Sequence, residues 1–180
     1  PAQAPQGLMA SAEGERSPAE LAELVERLRQ SGLRLDKEGS WWHEGSRVEH
    51  PGLARAFHRW LEQLGPEAGE HAGRFILRLD AERYCYVDVD DAPYVVRTVE
   101  REGEGSETRL FALLSDESRE ELDYGSLRVG ADDALYCTVK LRFSARFARQ
   151  AQALLADFID GQGEGFVLRA AGRQFEILGS

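Results

Sequence analysis

An α+β fold of two related halves, each a hairpin, a helix and a hairpin with mostly antiparallel sheets, is what the sequence predicts. Three observations predict it. Runs with apolar side chains at every second position follow one another through short turns, as neighbouring antiparallel strands do. Three stretches carry apolar residues at helical spacing. Segments ninety-odd positions apart resemble each other, as copies of one building block would.

Residues 1–16 are rich in Ala, Gln, Pro and Glu, lack the positive start and apolar middle of a secretion signal, and are expected to be disordered. A helix is predicted over 17–32. Ser17 caps its free amides, Pro18 suits its first position, Glu20 completes a capping box, Leu21, Leu24, Val25 and Leu28 form its stripe, and Gly32 ends it. The second helix starts at Pro51 and stops at Gly65-Pro66, with Leu53, Phe57, Trp60, Leu61 and Leu64 inward. A third runs from a Ser144 cap to about residue 159, burying Phe147, Ala151, Leu154, Leu155 and Phe158. Strands are expected over 74–79, 83–89, 94–99, 108–113, 166–170 and 173–178. Residues 101–107 read as a solvated hairpin tip, and 116–124 as an acidic loop or one short helix.

The repeat sets the predicted organisation. Leu33, Trp41-Trp42 and the stripe from Leu53 to Leu64 match Leu127, Leu135-Tyr136 and the stripe from Phe147 to Phe158, each 94 positions on. Beyond the helix the spacing falls to 91, pairing Phe75 with Phe166 and Tyr84 with Phe175. The division expected is a tail over 1–16, then 17–72 with the N-terminal helix and the first hairpin-helix part of repeat one. Hairpins and connecting strands fill 73–126, and repeat two spans 127–180.

Charge removes whole classes of function. With 32 acidic and 22 basic side chains the chain carries −10, which repels a polyanion, so nucleic acid is not an expected partner. The longest apolar run, Leu110 to Leu114, is far below the roughly 20 residues of a membrane-spanning helix, and no membrane association is expected. Cys85 and Cys137 suggest neither a disulfide framework nor a metal knuckle, so a reducing compartment and a cytoplasmic location are expected; alternation makes Cys137 a small buried hydrophobe. His43, His50, His58 (on the exposed side of the second helix) and His71 lack metal-pair spacing, and Asp88, Asp90 and Asp91 lack the Gly and distal Glu of a calcium loop; no metal or cofactor is expected. No nucleophile or phosphate-loop motif occurs, so the chain reads as a non-enzyme, with His43 the one tolerable general base.

One feature runs against the acidic background. Lys140, Arg142, Arg146 and Arg149 place four positive charges and no negative one in ten residues, where a strand is expected to lead into the third helix. Arginine forks grip phosphate or carboxylate with two hydrogen bonds, so this run is a candidate anion site; the same side chains could instead pair with acids such as those of 116–123. Tyr136 shares the strand face of Lys140 and Arg142, and of Trp41 and Trp42 one points inward and the other outward as a ligand platform or an interface filler.

The segment Gly39-Ser40-Trp41-Trp42-His43-Glu44-Gly45-Ser46, then Val48, Pro51, Leu53, Phe57 and Leu61, the turn Val89-Asp90-Asp91-Ala92-Pro93-Tyr94 and a later Arg142-Phe143 resemble the bacterial family known as domain of unknown function 1285 (DUF1285). The resemblance implies a duplicated α+β core, a C-terminal part superficially like pleckstrin-homology domains, and a ligand-binding or signalling role, with a nucleotide-like compound between the halves. Our expectation is accordingly a module that binds a small anionic ligand in the groove between its halves. Arg142, Arg146, Arg149 and Lys140 would hold the charge, Trp42 or Tyr136 would stack, and the turn ending at Tyr94 would shape the wall. The alternative is a protein-protein interaction module or homodimer without a small ligand.

Overall fold

The computed structural model describes residues 25–27, 29–130, 132–162 and 165–179. Of the predicted first helix, 25–27 are helical, Arg29 lies in a turn and 30–32 belong to a strand; its other residues and the tail expected to be disordered lie outside the described residues. Gly32 does not end a helix. It lies in the first strand, β1 (Gln30–Leu35), at φ 65, where the register shifts.

Two six-stranded sheets make up most of the molecule. The first holds β1, β2 (Trp41–His43), β3 (Ser46–Arg47), β4 (Leu61–Gln63), β5 (Phe75–Arg78) and β6 (Tyr84–Val89), in the order β3-β2-β1-β6-β5-β4. The second holds β7 (Tyr94–Glu102), β8 (Arg109–Leu114), β9 (Arg119–Glu121), β10 (Arg128–Val129), β11 (Leu135–Val139) and β12 (Phe143–Phe147), in the order β10-β11-β12-β7-β8-β9. Every pairing is antiparallel except β1 with β6 and β12 with β7. Each sheet is thus two three-stranded meanders, the opening strand of one lying beside the closing strand of the other. The two sheets share strand order and direction, so β1–β6 and β7–β12 are the related halves of this α+β chain. This correspondence differs from the 94-residue match, which pairs β2 with β11 although β2 takes the topological place of β8.

Helix α1 (Pro51–Trp60) joins the meanders of the first half. His50 caps it by accepting the Leu53 amide at 3.2 Å, and Pro51 opens it without wasting an N–H. It ends before Gly65, because Leu61 is drawn into β4 opposite Leu77, where it is buried. Its inward stripe is turned from the one expected: Ala54, Phe57 and His58 face the core, while Leu53 and Trp60 are exposed.

The third helix is also shorter than predicted. Phe143, Ala145 and Phe147 are buried with Ser144 and Arg146 between them, a period of two, so this stretch is β12 and Ser144 caps nothing. Helix α2 (Arg149–Ala156) follows, burying Ala151 and Leu155 on the second sheet. Residues 116–124, expected as an acidic loop or one short helix, hold a turn followed by β9, and Tyr124 opens a 3-10 turn. The C-terminal β13 (Ile159–Gln162), β14 (Gly165–Ala170) and β15 (Arg173–Ile177) form a third antiparallel sheet, whose Leu168, Ala170 and Ile177 join the main core. Residues 103–107 form the expected hairpin tip between β7 and β8.

Candidate functional site

The halves meet at His58. Its ring is 3% exposed, and Trp41, on β2 and 1% exposed, donates its indole N–H to His58 Nδ1 at 3.0 Å. An indole N–H can only donate, so Nδ1 accepts and the ring proton sits on Nε2, 3.3 Å from Ser115 Oγ of the second half. The Tyr94 hydroxyl donates to the His58 carbonyl at 3.4 Å, and the two rings lie 5.3 Å apart. Burial holds this imidazole below its ordinary pKa, so it is neutral at pH 7. Next to it the β1–β2 turn packs onto the second half at Gly39. A Cβ there would lie 3.0 Å from Ser115 Cβ and 3.1 Å from Val95 Cγ2, at φ +78.

On one side of this junction opens a cleft of about 430 Å³ between α1 and the β11–β12 hairpin. Arg55 and Arg59, one turn apart on α1, line the first half's wall; Lys140 and Arg142 line the second half's, with Tyr94, Phe143 and Asp116 between. Two of the four cations are matched: Arg55 reaches Glu117 at 2.7 Å, and Lys140 contacts Asp116 at 3.3 Å and the Ser118 hydroxyl. Arg59 and Arg142 have no carboxylate partner among the described residues, and the Arg142 guanidinium lies 4.7 Å from the Phe143 ring centre. The hairpin presenting Lys140 and Arg142 is tight: Arg142 N–H donates to Val139 O at 3.1 Å, and Lys140 and Leu141 take φ 51 and 67. Leu141 is wholly exposed at its tip.

A second, larger cavity of about 1160 Å³ lies between the β1–β2 turn and α2. Arg146 and Arg149 line it with Lys37 and Arg97, against Glu38, Asp132 and Asp133, so its charge is close to balanced. Arg146 is engaged: it donates to Asp91 and to the Tyr136 hydroxyl, both at 2.7 Å, and to Asp132, whose carboxyl it holds below the usual range. Arg149 makes no ion pair among the described residues.

The seven residues singled out from sequence are therefore not one constellation. Lys140, Arg142 and Tyr94 line the smaller cleft; Arg146 and Arg149 line the larger cavity. Tyr136 lines neither. Its ring covers Gly130, where a Cβ would fall 2.5 Å from it, and its hydroxyl donates to Asp91 at 2.9 Å. Trp42 stays in the first half, donating to Asp36 at 2.7 Å, while its neighbour Trp41 is buried, as alternation required. Sequence reasoning missed Arg55 and Arg59, and it put His58 on the exposed side of α1, where the structure buries it against Trp41. The Arg-x-x-x-Arg spacing on α1 was the available signal for the first two, and the Ala54-Phe57-His58 stripe for the third.

Among the described residues no group of three His, Cys, Asp or Glu is placed to hold a metal, and no helix is long and apolar enough to cross a membrane. Cys137 is fully buried, and burial pushes its thiol up to about 12.

No protein-family model and no curated protein matches the chain. Two solved structures resemble it. A DUF1285 family protein from Silicibacter pomeroyi DSS-3 superposes with TM-score 0.69 at 23% identity, over 83% of this chain and 80% of that one. A DUF1285 family protein from Shewanella baltica OS155 does so with TM-score 0.57 at 16% identity, over 72% of this chain and 93% of that one. At these identities the likeness establishes the fold, which is that of DUF1285 family proteins, in agreement with the resemblance drawn from the sequence.

Proposed function

We propose, from a fold shared with DUF1285 family proteins, that this chain is a binding module without catalytic activity. It takes a small anionic ligand in the groove between its halves and passes that occupancy to a partner protein. One observation carries the reading: in a chain of net charge −10, the cleft beside His58 gathers four cations, of which Glu117 and Asp116 match only Arg55 and Lys140. Tyr94 and Phe143 form a floor only 4% and 5% exposed, and near such a low-dielectric surface Coulomb attraction is stronger than in water. Neither ring offers an open face to a base. A compact anion suits these walls better than a nucleotide, and Arg146 and Tyr136 act as supports of the second half.

The test is a melting-temperature panel of nucleotides, phosphates and dicarboxylates. A ligand at 100 times its Kd adds about 2.7 kcal/mol, roughly 5–11 °C for a chain of this size. Arg142→Glu is expected to abolish the shift while leaving the unliganded melting temperature within about 2 °C, since Arg142 is exposed and unpaired. A panel in which no compound moves the transition more in the native chain than in Arg142→Glu overturns the reading. A protein-interaction module keeps one observation of its own, the fully exposed Leu141 at the lip of the cleft. Sedimentation at two concentrations tests its homodimer version, and an unchanged mass counts against it.

A further inference from the structure

We infer that the occupant of the cleft is a compact tetrahedral dianion of the phosphate-ester class, clamped between Arg59 of the first half and Arg142 of the second. The inference rests on the reading of this cleft as an anion site and narrows it.

Charge counting is the first step. Arg55 and Lys140 are already neutralised by Glu117 and Asp116, which leaves two uncompensated guanidiniums, one on each wall. A dianion balances them; a monoanion leaves one cation unmatched, and a more highly charged species brings negative charge toward Asp116. Shape is the second step. Each guanidinium offers a planar fork of N–H donors, and two forks reaching one centre from opposite walls need oxygen pairs on two sides of it. A tetrahedral oxyanion presents such pairs, whereas a single carboxylate presents one edge and a dicarboxylate spreads its charges over a chain. Size is the third step: about 430 Å³ lies at the small end of ligand pockets, which run roughly 300–1,000 Å³. Arg59 and Arg142 sit on different halves, so a shared ligand ties α1 to the β11–β12 hairpin and makes occupancy felt at the junction between the sheets.

The experiment is calorimetric titration with inorganic phosphate, phenyl phosphate, sulfate, succinate and acetate at constant ionic strength. Direct heats are read because phosphate and sulfate also raise melting temperatures without binding. Phosphate, phenyl phosphate and sulfate are expected to bind, succinate and acetate at least about tenfold more weakly. Arg59→Gln and Arg142→Gln should each weaken phosphate by about tenfold or more, and the double variant should lose little beyond the worse single one, because a clamp acts as a unit. Circular dichroism confirms that each variant folds. Succinate binding with phosphate and sulfate silent overturns this inference and leaves the anion-site reading standing. Silence of all five probes overturns both. Phosphate binding that Arg142→Gln weakens and Arg59→Gln does not overturns the clamp alone.

Discussion

Replacing His58 with alanine tests the junction on which the placement of the cleft depends. The substitution leaves the Trp41 indole N–H, at a site 1% exposed, without its acceptor; an orphaned interior donor costs about 1–3 kcal/mol. It also removes ring contacts to Trp41 and Tyr94, both at 5.3 Å, and aromatic pairs contribute about 0.5–1.5 kcal/mol each. These overlap with the cavity term for deleting a buried ring, and the expected loss is about 3–5 kcal/mol at pH 7.5. In a chain of this length that lowers the melting temperature by roughly 6–20 °C. A second readout is specific to the imidazole. Its folded pKa lies below the unfolded value of 6.5, because burial disfavours the charged form. Above pH 6.5 neither state is protonated and the full contribution stands. As pH falls below 6.5 the unfolded chain takes up a proton that the folded one refuses, so stability drops until the folded pKa is reached, with a slope of at most about 1.4 kcal/mol per pH unit. Once protonated, Nδ1 turns from acceptor to donor and faces the Trp41 N–H, with the Ala54 carbonyl at 3.2 Å as its remaining partner. Urea unfolding of both proteins from pH 7.5 to 5 gives a difference curve in which other titrating groups cancel. The cost of His58→Ala should shrink on acidification. A cost below about 1 kcal/mol, or parallel curves, refutes the reasoning.

Three further outcomes follow from the same geometry. Gly39→Ala should cost about 2–3 kcal/mol in urea unfolding, from a left-handed backbone and a Cβ at 3.0 Å from Ser115, while Gly45→Ala, at φ +80 with nothing within 4 Å, should lose only the backbone share of about 1 kcal/mol. Leu141→Gly should gain about 0.5–1 kcal/mol, because it relieves a left-handed leucine that buries nothing; a loss would mean that this side chain has a contact in solution. An Ellman titration of the folded protein should find Cys85 alone, with Cys137 reacting only in denaturant.

Long strands were legible in the sequence because their alternation spans several residues: β5, β6, β7, β8, β14 and β15 stand within a few residues of their predicted bounds. Short ones were not. β4 is three residues whose Leu61 also continues the helical stripe of α1, and only pairing with β5, more than ten residues on, decides between the two. In β12, Ser144 imitates a helix cap, and what overrides it is β7 running parallel alongside, a partner no local pattern reveals. The site divides similarly. Lys140 and Arg142 were readable as a basic run, but Arg59 stands more than eighty positions away and joins them only through the packing of the halves. Arg146, from the same run, is claimed by Asp91 across 55 positions.

The parallel pairs β1–β6 and β7–β12 set an order of assembly during synthesis. The first sheet holds all its strands once Val89 has left the ribosome. The second cannot close: β12 covers β7 at Tyr94–Val96, and the residues that pair there, Ala145–Phe147, follow 51 positions later. At about 5–20 residues per second, the flank of β7 that β12 will cover stays bare for roughly 3–10 s. Through that interval Val95 and Val96 lie on an uncovered strand edge, and a nascent chain stalled before Phe143 would be the species that self-associates.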